Sequence, residues 1–449
     1  MKQPPGPKGH FLWGAGKEAI EIPLTLYCNS WKEFGDSVKL PSFPGYYWYM
    51  FTHPSAVEYI LQTHQQNFRK PDIFNQPMSL LVGNGLVASE GELWLRQRRL
   101  AQPAFHKSKL ALLGESMVKT IEEQINTWEH ATSDTPVDIA SKMGALTLAI
   151  VGNALFSTDL HEYYERVGTT MRIALEHVNY KMGHMFALPE WVPTKRNREF
   201  LKAKAELDAV VMEIITKRRQ SNKEENDLLS TLLHSTDDQS GQSMSNELLR
   251  DEVITLMLAG HDTTAATLTW TWYLLSQNPH KEAIFLDELK SVLAGRMPTV
   301  EDLPNIPYTR MVIEESMRLY PPAWGLIREA IEDDEIGGYF VSKKKPISLL
   351  QFITHRHPEF WDEPESFIPE RFEKDKVAQR PKYAYFPFGG GQRACIGNQF
   401  SLMEGTLALA AIAQRIKFEV IPGQSIEPDP TFTLRPRYGI KAYLKKVSE

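Results

Sequence analysis

One stretch sets the architecture. Ser245 offers an N-cap, and Glu247, Asp251 and Glu252 enrich the turns that follow in acid. Helical patterning then runs unbroken to Asn278-Pro279. Such a helix has roughly 33 residues and a length of about 50 Å. It must cross the whole molecule, and dividing it between two folding units makes little sense. A chain of 449 residues would by length suggest two domains. The long helix predicts instead one domain, 1–449, mainly α with small β-sheets: a large helical body with a small N-terminal β-rich annex.

The flanking patterns fit that plan. The first sixty residues are rich in Pro, Gly and aromatics; Lys39-Leu40 and 47–51 read as short strands flanking a Pro-Gly turn. From Pro54 the pattern is helical, with Val57, Ile60 and Leu61 on one face. Helical periodicity dominates from Glu92 to Gln277, broken most clearly by the polar loop 235–244. After Tyr320-Pro-Pro, the Gly337-Gly338 turn and the Lys343-Lys-Lys run mark 331–348 as hairpin territory, and 432–444 reads as a second small sheet element. The most apolar stretch, 402–416, contains Glu404, Gln414 and Arg415 and reads as a buried helix. With no run of about 18 uncharged apolar residues, neither a signal peptide nor a membrane span is expected. A net charge of −6 gives no global attraction to nucleic acid. The two cysteines, Cys28 and Cys395, lie far apart in unlike surroundings; this disfavours a disulfide and suits a reducing, cytoplasmic setting.

Four constellations carry chemistry. In Phe388-Gly-Gly-Gly-Gln-Arg-Ala-Cys395-Ile-Gly397, three consecutive glycines exclude a helix or strand interior, so the backbone there approaches something closely. The loop delivers Cys395 just before an apolar helix starting near Gln399, where backbone N–H groups and a helix N-terminus would stabilise a thiolate. A Gly-rich turn with a buried thiol, a nucleophilic cysteine and a metal ligand all remain open. Zinc needs more soft ligands than Cys28 could add, so a metal held by one thiolate points to haem. Inside the long helix, Ala259-Gly-His-Asp-Thr-Thr264 weakens the local hydrogen bonding, by about 1 kcal/mol for Gly260 alone. A Thr hydroxyl can bond the carbonyl one turn back, and a buried Asp beside it is costly if idle. A solvent-facing stripe is the bland reading; a groove admitting a small ligand and supplying protons is the better one. Glu315 and Arg318, followed by Arg371 in Pro369-Glu-Arg371-Phe372, are spaced to pair but alone amount to an everyday surface ion pair. Trp94 and Arg98, four apart, present an indole N–H and a guanidinium in one direction, suiting a carboxylate or phosphate, or simply a solvated basic face.

In this order and at these separations the four resemble the cytochrome P450 family, over nearly the whole chain from Pro4-Pro-Gly-Pro to Arg435-Pro-Arg-Tyr-Gly. The Cys loop matches the family pattern at Phe388, Gly391, Arg393, Cys395 and Gly397. The resemblance implies haem b (iron protoporphyrin IX), with Cys395 as thiolate ligand to its metal. It implies that Asp262 and Thr263 are catalytic, holding dioxygen and relaying protons to it. Trp94, Arg98, Arg328 and Arg393 would anchor the haem propionates, with Phe388 and Gly397 at the thiolate. Glu315, Arg318 and Arg371 would form a buried structural charged cluster steadying the Cys loop. His357, in His355-Arg-His-Pro, stands where relatives more often carry Asp. The proline-rich start is similar to the hinge after a membrane anchor, yet no anchor precedes it, so a soluble bacterial form is expected.

The expected activity is hydroxylation of a lipophilic substrate with O2, a medium- or long-chain fatty acid first and a terpenoid second. Pocket residues implied by the resemblance are Phe74, Met78, Leu80, Leu81, Met182, Phe186, Leu256, Ala259, Ala323, Trp324, Leu326 and Phe432, any of which could be ordinary core. Electrons would come from a ferredoxin or flavodoxin with its reductase, docking on Arg96, Arg99, Lys374, Lys376, Arg380 and Lys382. A monomer is expected. Rival readings are a haem-thiolate isomerase or peroxygenase, which tend to lack the acid–Thr pair, and a haem-thiolate gas sensor, which usually carries an output domain.

Overall fold

The computed structural model describes residues 2–10, 13–42, 45–130, 135–158, 164–184, 187–221, 225, 227–237, 241 and 243–447. The central helix spans Asn246–Gln277, 32 residues, and the Ser245 side chain caps it by accepting the Leu248 N–H at 3.2 Å. It is buried at both ends of its length, from Leu249 to Leu258 and from Thr264 to Leu275 with few breaks. That is why its sequence shows no single apolar stripe: neighbours surround it. Ile139–Phe156 packs against it most extensively, with Pro307–Leu319 and Asn398–Ala413 on other sides.

Ile139–Phe156 is also the one helix among the described residues long and apolar enough to cross a membrane, with a mean hydropathy of 1.5. It is 72% buried within the protein, so its apolarity serves the core. The stretch 402–416, read as a buried helix, lies in the helix Asn398–Ala413, buried from Leu402 to Ala413, and only its last residue enters the strand Ile416–Val420.

The N-terminal annex is a five-stranded sheet. Ser37–Pro41 pairs antiparallel with Tyr47–Phe51, which runs parallel to Pro346–Leu349. Leu326–Ala330 and then Phe68–Arg69 complete it. Its third and fourth strands come from far along the chain, so the annex and the helical body are stitched together by sequence-distant pairing. The hairpin expected over 331–348 forms between Asp334–Ile336 and Tyr339–Val341, turning on Gly337 and Gly338, both at positive φ. The single element expected over 432–444 is divided. Leu434–Pro436 pairs with Pro428–Pro430, whereas Lys441–Lys446 joins Ile416–Val420 and Val137–Asp138 in a separate sheet. Gly439, at φ +70°, makes the turn between them.

Candidate active site

The Cys loop leaves the 382–384 turn and closes on itself, the Cys395 N–H donating to the Phe388 carbonyl at 2.9 Å. Its glycines are required by neighbours within the protein. A Cβ on Gly391 would collide with the Leu61 carbonyl, and one on Gly390 with the Tyr383 ring. Gly389 and Gly391 also adopt positive φ. Cys395 retains accessible surface although protein surrounds it on all sides, so the thiol faces an internal space. Burial pushes the thiol pKa up, against the pull of the Gly397 N–H and the Arg98 guanidinium. The expected stabilising groups are thus present, but in the protein alone desolvation outweighs them.

Beside the thiol lies a cluster of cations. Arg98 donates to the Ala394 carbonyl at 2.9 Å. Arg393 stacks 3.7 Å over Trp94 and pairs with Glu90 at 2.6 Å. Arg328 is buried, and burial lowers it to about 10. Lys70, which the sequence did not single out, donates to the Val87 and Ser89 carbonyls and faces Glu90 at 3.5 Å. Burial, with Arg393 and Arg328 adding repulsion, lowers it to about 7. Against Lys70, Arg98, Arg328 and Arg393 the cluster supplies, among the described residues, only Glu90 and the Cys395 thiol. This excess of positive charge beside one thiol fits a ligand carrying a metal and two carboxylates, as haem does.

Midway along the central helix, Ala259 to Thr263 are only half-buried between the two buried stretches. The Thr263 hydroxyl donates to the Ala259 carbonyl at 2.8 Å, and Thr147 donates to the His261 carbonyl at 3.1 Å. Asp262 is not idle: its Oδ2 accepts the Thr433 hydroxyl at 2.5 Å. Thr433 was not anticipated, because nothing in a sequence marks which of many threonines will meet an acid 171 residues away.

The Glu315–Arg318 pair is fully buried, not a surface pair. Arg318 reaches both Glu315 oxygens, at 2.7 and 2.9 Å, and the carbonyls of His355, Pro364 and Ser366. Glu315 also accepts the Ile368 N–H at 2.8 Å and meets Arg371 at 3.5 Å. His355 passes this order to the Cys loop: Arg318 holds its carbonyl, and its Nε2 accepts the Phe386 N–H at 2.9 Å. Burial, with Arg318 and Arg356 nearby, holds its pKa well below the usual range, which suits an acceptor. His357 meets Asp36 at 3.1 Å, joining the annex to the body.

The pocket candidates separate. Met78, Leu81 and Leu256 are buried in the main core, and Trp324 belongs to the annex cluster, donating its indole N–H to the Thr431 carbonyl at 2.9 Å. Phe74, Leu80, Ala259, Ala323, Leu326 and Phe432 are half-buried. Met182 lines an apolar cavity of about 640 Å³ with Trp13, Ile20, Ile73 and Ile327. Phe186 lies outside the described residues. The basic patch is thinner than expected. Arg99 is bound by Asp237 at 2.9 Å, and Arg96 donates to the Ser243 carbonyl at 3.0 Å. Arg380 lies 3.8 Å over Trp361 and donates to the Arg371 carbonyl. Lys374, Lys376 and Lys382 are exposed, although Lys376 pairs with Glu373 at 3.0 Å and Lys382 donates to Gln62 at 2.9 Å.

Residues 4–442 match the family model described as Cytochrome P450. Similar proteins include cyclooctatin synthase and cyclooctat-9-en-7-ol 5-monooxygenase of Streptomyces melanosporofaciens, both 36% identical. The first alignment covers 86% of this chain and 84% of the relative, the second 84% and 82%. Pentalenene oxygenase of Streptomyces avermitilis is 32% identical, over 90% of this chain and 88% of its own length.

Proposed function

This chain belongs to the cytochrome P450 family, a haem b monooxygenase acting with O2, a small-molecule substrate and redox partners, and on that premise we propose that it hydroxylates a terpenoid. The observation that carries this reading is the set of relatives named for cyclooctatin, cyclooctat-9-en-7-ol and pentalenene, aligned over most of their lengths. They favour the terpenoid, ranked second from the sequence, over the fatty acid ranked first. Half-buried Phe74, Leu80, Ala323, Leu326 and Phe432 would offer such a substrate an apolar surface with few polar handles.

Haem, when bound, supplies the activation of dioxygen, by which one oxygen atom enters the substrate and the other leaves as water. In our reading Cys395 is its ligand, and Lys70, Arg98, Arg328, Arg393 and Trp94 hold its carboxylates. Asp262 and Thr263 move protons from solvent toward the reacting oxygen, and the Glu315–Arg318–Arg371 cluster keeps the Cys loop in register through His355. Retention of the acid–Thr pair favours monooxygenation over isomerase or peroxygenase chemistry. A ferredoxin or flavodoxin with its reductase would dock at Lys374, Lys376 and Lys382.

The test is a panel of cyclic terpenes and medium- to long-chain fatty acids, scored by the substrate-induced shift of the haem absorption band and by product. Shifts and alcohol products confined to the terpenes support the reading. Turnover of fatty acids alone overturns the substrate class. Loss of the thiolate-type band of the reduced carbon monoxide complex in Cys395→Ala, but not in Cys28→Ala, identifies the ligand.

A further inference from the structure

Asp262 stands at a seam of the central helix. Leu258, His261, Ala265, Ala266 and Thr269 recur at helical spacing and, with Asp262, wall a polar cavity of about 730 Å³. The cavity also takes in Arg172, Glu176, Arg435 and Arg437, so its outer wall is charged. Thr263 is absent from that wall, because the next residue is turned about 100° around the axis. Asp262 is the acid of that wall next to Thr263 in the chain, so a carboxylate held at this boundary is placed to hand a proton from the cavity toward Thr263.

One side chain does this. Among the described residues the carboxylate accepts a side-chain hydrogen bond from Thr433 alone, at 2.5 Å on Oδ2. Thr433 is 2% exposed and sits in a turn with little freedom. Trp270, two turns further along the same helix, donates its indole N–H to the Leu434 carbonyl at 2.9 Å. Trp324 holds the Thr431 carbonyl at 2.9 Å, and the Leu434 N–H donates to the Pro322 carbonyl at 2.9 Å. The Thr431 hydroxyl closes the turn on the Thr433 carbonyl at 3.2 Å. Because Trp270 and Asp262 belong to one rigid helix, the Trp270–Leu434 bond fixes where the Thr433 hydroxyl arrives. His261 makes no hydrogen bond to the acid among the described residues: its Nδ1 finds no partner, and burial lowers its pKa against the pull of the Asp262 charge.

We propose that Thr433 is the positioning residue for Asp262, fixing one carboxylate oxygen so that the acid stays between the polar cavity and Thr263. Thr433 donates a hydrogen bond and gives up no proton. The proposal rests on the proton-relay role read for Asp262 above, and the experiment separates the two. Thr433→Val keeps the shape and deletes the donor, Thr433→Ser keeps the donor, and Thr433→Ala serves if the valine variant folds poorly. Without turnover, the Asp262 carboxylate stretch is isolated by infrared difference against Asp262→Asn. It shifts in Thr433→Val and returns in Thr433→Ser. In the holoenzyme, the share of electrons reaching product rather than hydrogen peroxide falls about tenfold in Thr433→Val, the size expected for losing one hydrogen bond to a charged group. Its solvent deuterium isotope effect rises, substrate affinity is unchanged, and serine restores all three. The proposal is overturned if Thr433→Val matches wild type while Asp262→Asn does not, or if valine and serine fall together, which would implicate the turn alone. An Asp262→Asn variant that couples normally removes the proton-relay reading itself.

Discussion

Replacing Arg318 with Met tests whether the buried charged cluster holds the Cys loop. The guanidinium has no accessible surface and makes bonds of 2.7–2.9 Å to both Glu315 oxygens and to the carbonyls of His355, Pro364 and Ser366. Methionine fills much of the same volume and makes none of them. Glu315 would then keep, among the described residues, the Ile368 N–H at 2.8 Å, Arg371 at 3.5 Å and the more distant charge of Arg380. Breaking one side of a buried ion pair costs about 3–5 kcal/mol, and each abandoned carbonyl adds about 1–3 kcal/mol unless water reaches it. A loss of roughly 5 kcal/mol or more is expected, a large part of the about 5–15 kcal/mol that holds a typical domain folded.

The assay is denaturant unfolding of the holoenzyme, followed by circular dichroism and by the haem absorption band. Adding Glu315→Gln to Arg318→Met removes the stranded charge while keeping an acceptor for Ile368, so the double variant should recover about 2 kcal/mol over the single one. Should the methionine variant not accumulate, Arg318→Lys enters the same cycle. A single variant as stable as wild type, or a double variant no better than the single, refutes the reasoning.

Two further outcomes follow from other parts of the molecule. Burial foremost, and then the Asp251 carboxylate, raises Glu252 to about 8, so the folded state holds a proton that the unfolded chain releases near 4.5. Its contribution is complete below pH 4.5 and is lost as pH rises through 8; Glu252→Gln should match wild type at pH 4 and exceed it by on the order of 4 kcal/mol at pH 9, read as a shift in unfolding midpoint. Equal pH slopes in the two proteins would show that Glu252 titrates normally. Gly391→Ala should lower haem retention during gel filtration and shift the thermal midpoint down by several degrees, because the added Cβ meets the Leu61 backbone and φ is +63°. An alanine variant that keeps its haem and midpoint would show that the loop can move aside without cost.

The sequence by itself determined the elements whose signals are local. The Ser245 cap, the unbroken helix to Gln277, the Gly337-Gly338 hairpin and the glycine run before Cys395 all follow from backbone preferences within a few residues, and each lies where it was read. Motif spacing likewise singled out Cys395, Asp262, Glu315 and Arg318. Only the tertiary structure decided what each one touches. A pair three apart on a helix looks the same exposed or buried, and it is the loop 363–371 wrapping over Pro307–Leu319 that seals Glu315 and Arg318 inside. Lys70, Thr433 and His355 carry no local signature, yet they complete the cation cluster, the acid's hydrogen bond and the link to the Cys loop. Arg99 and Arg380 read as surface charge but are occupied by Asp237 and Trp361. Local sequence sets backbone conformation because the competing states differ within one turn of chain. Burial, pairing and charge balance depend on segments hundreds of residues apart, and the folded chain alone brings those together.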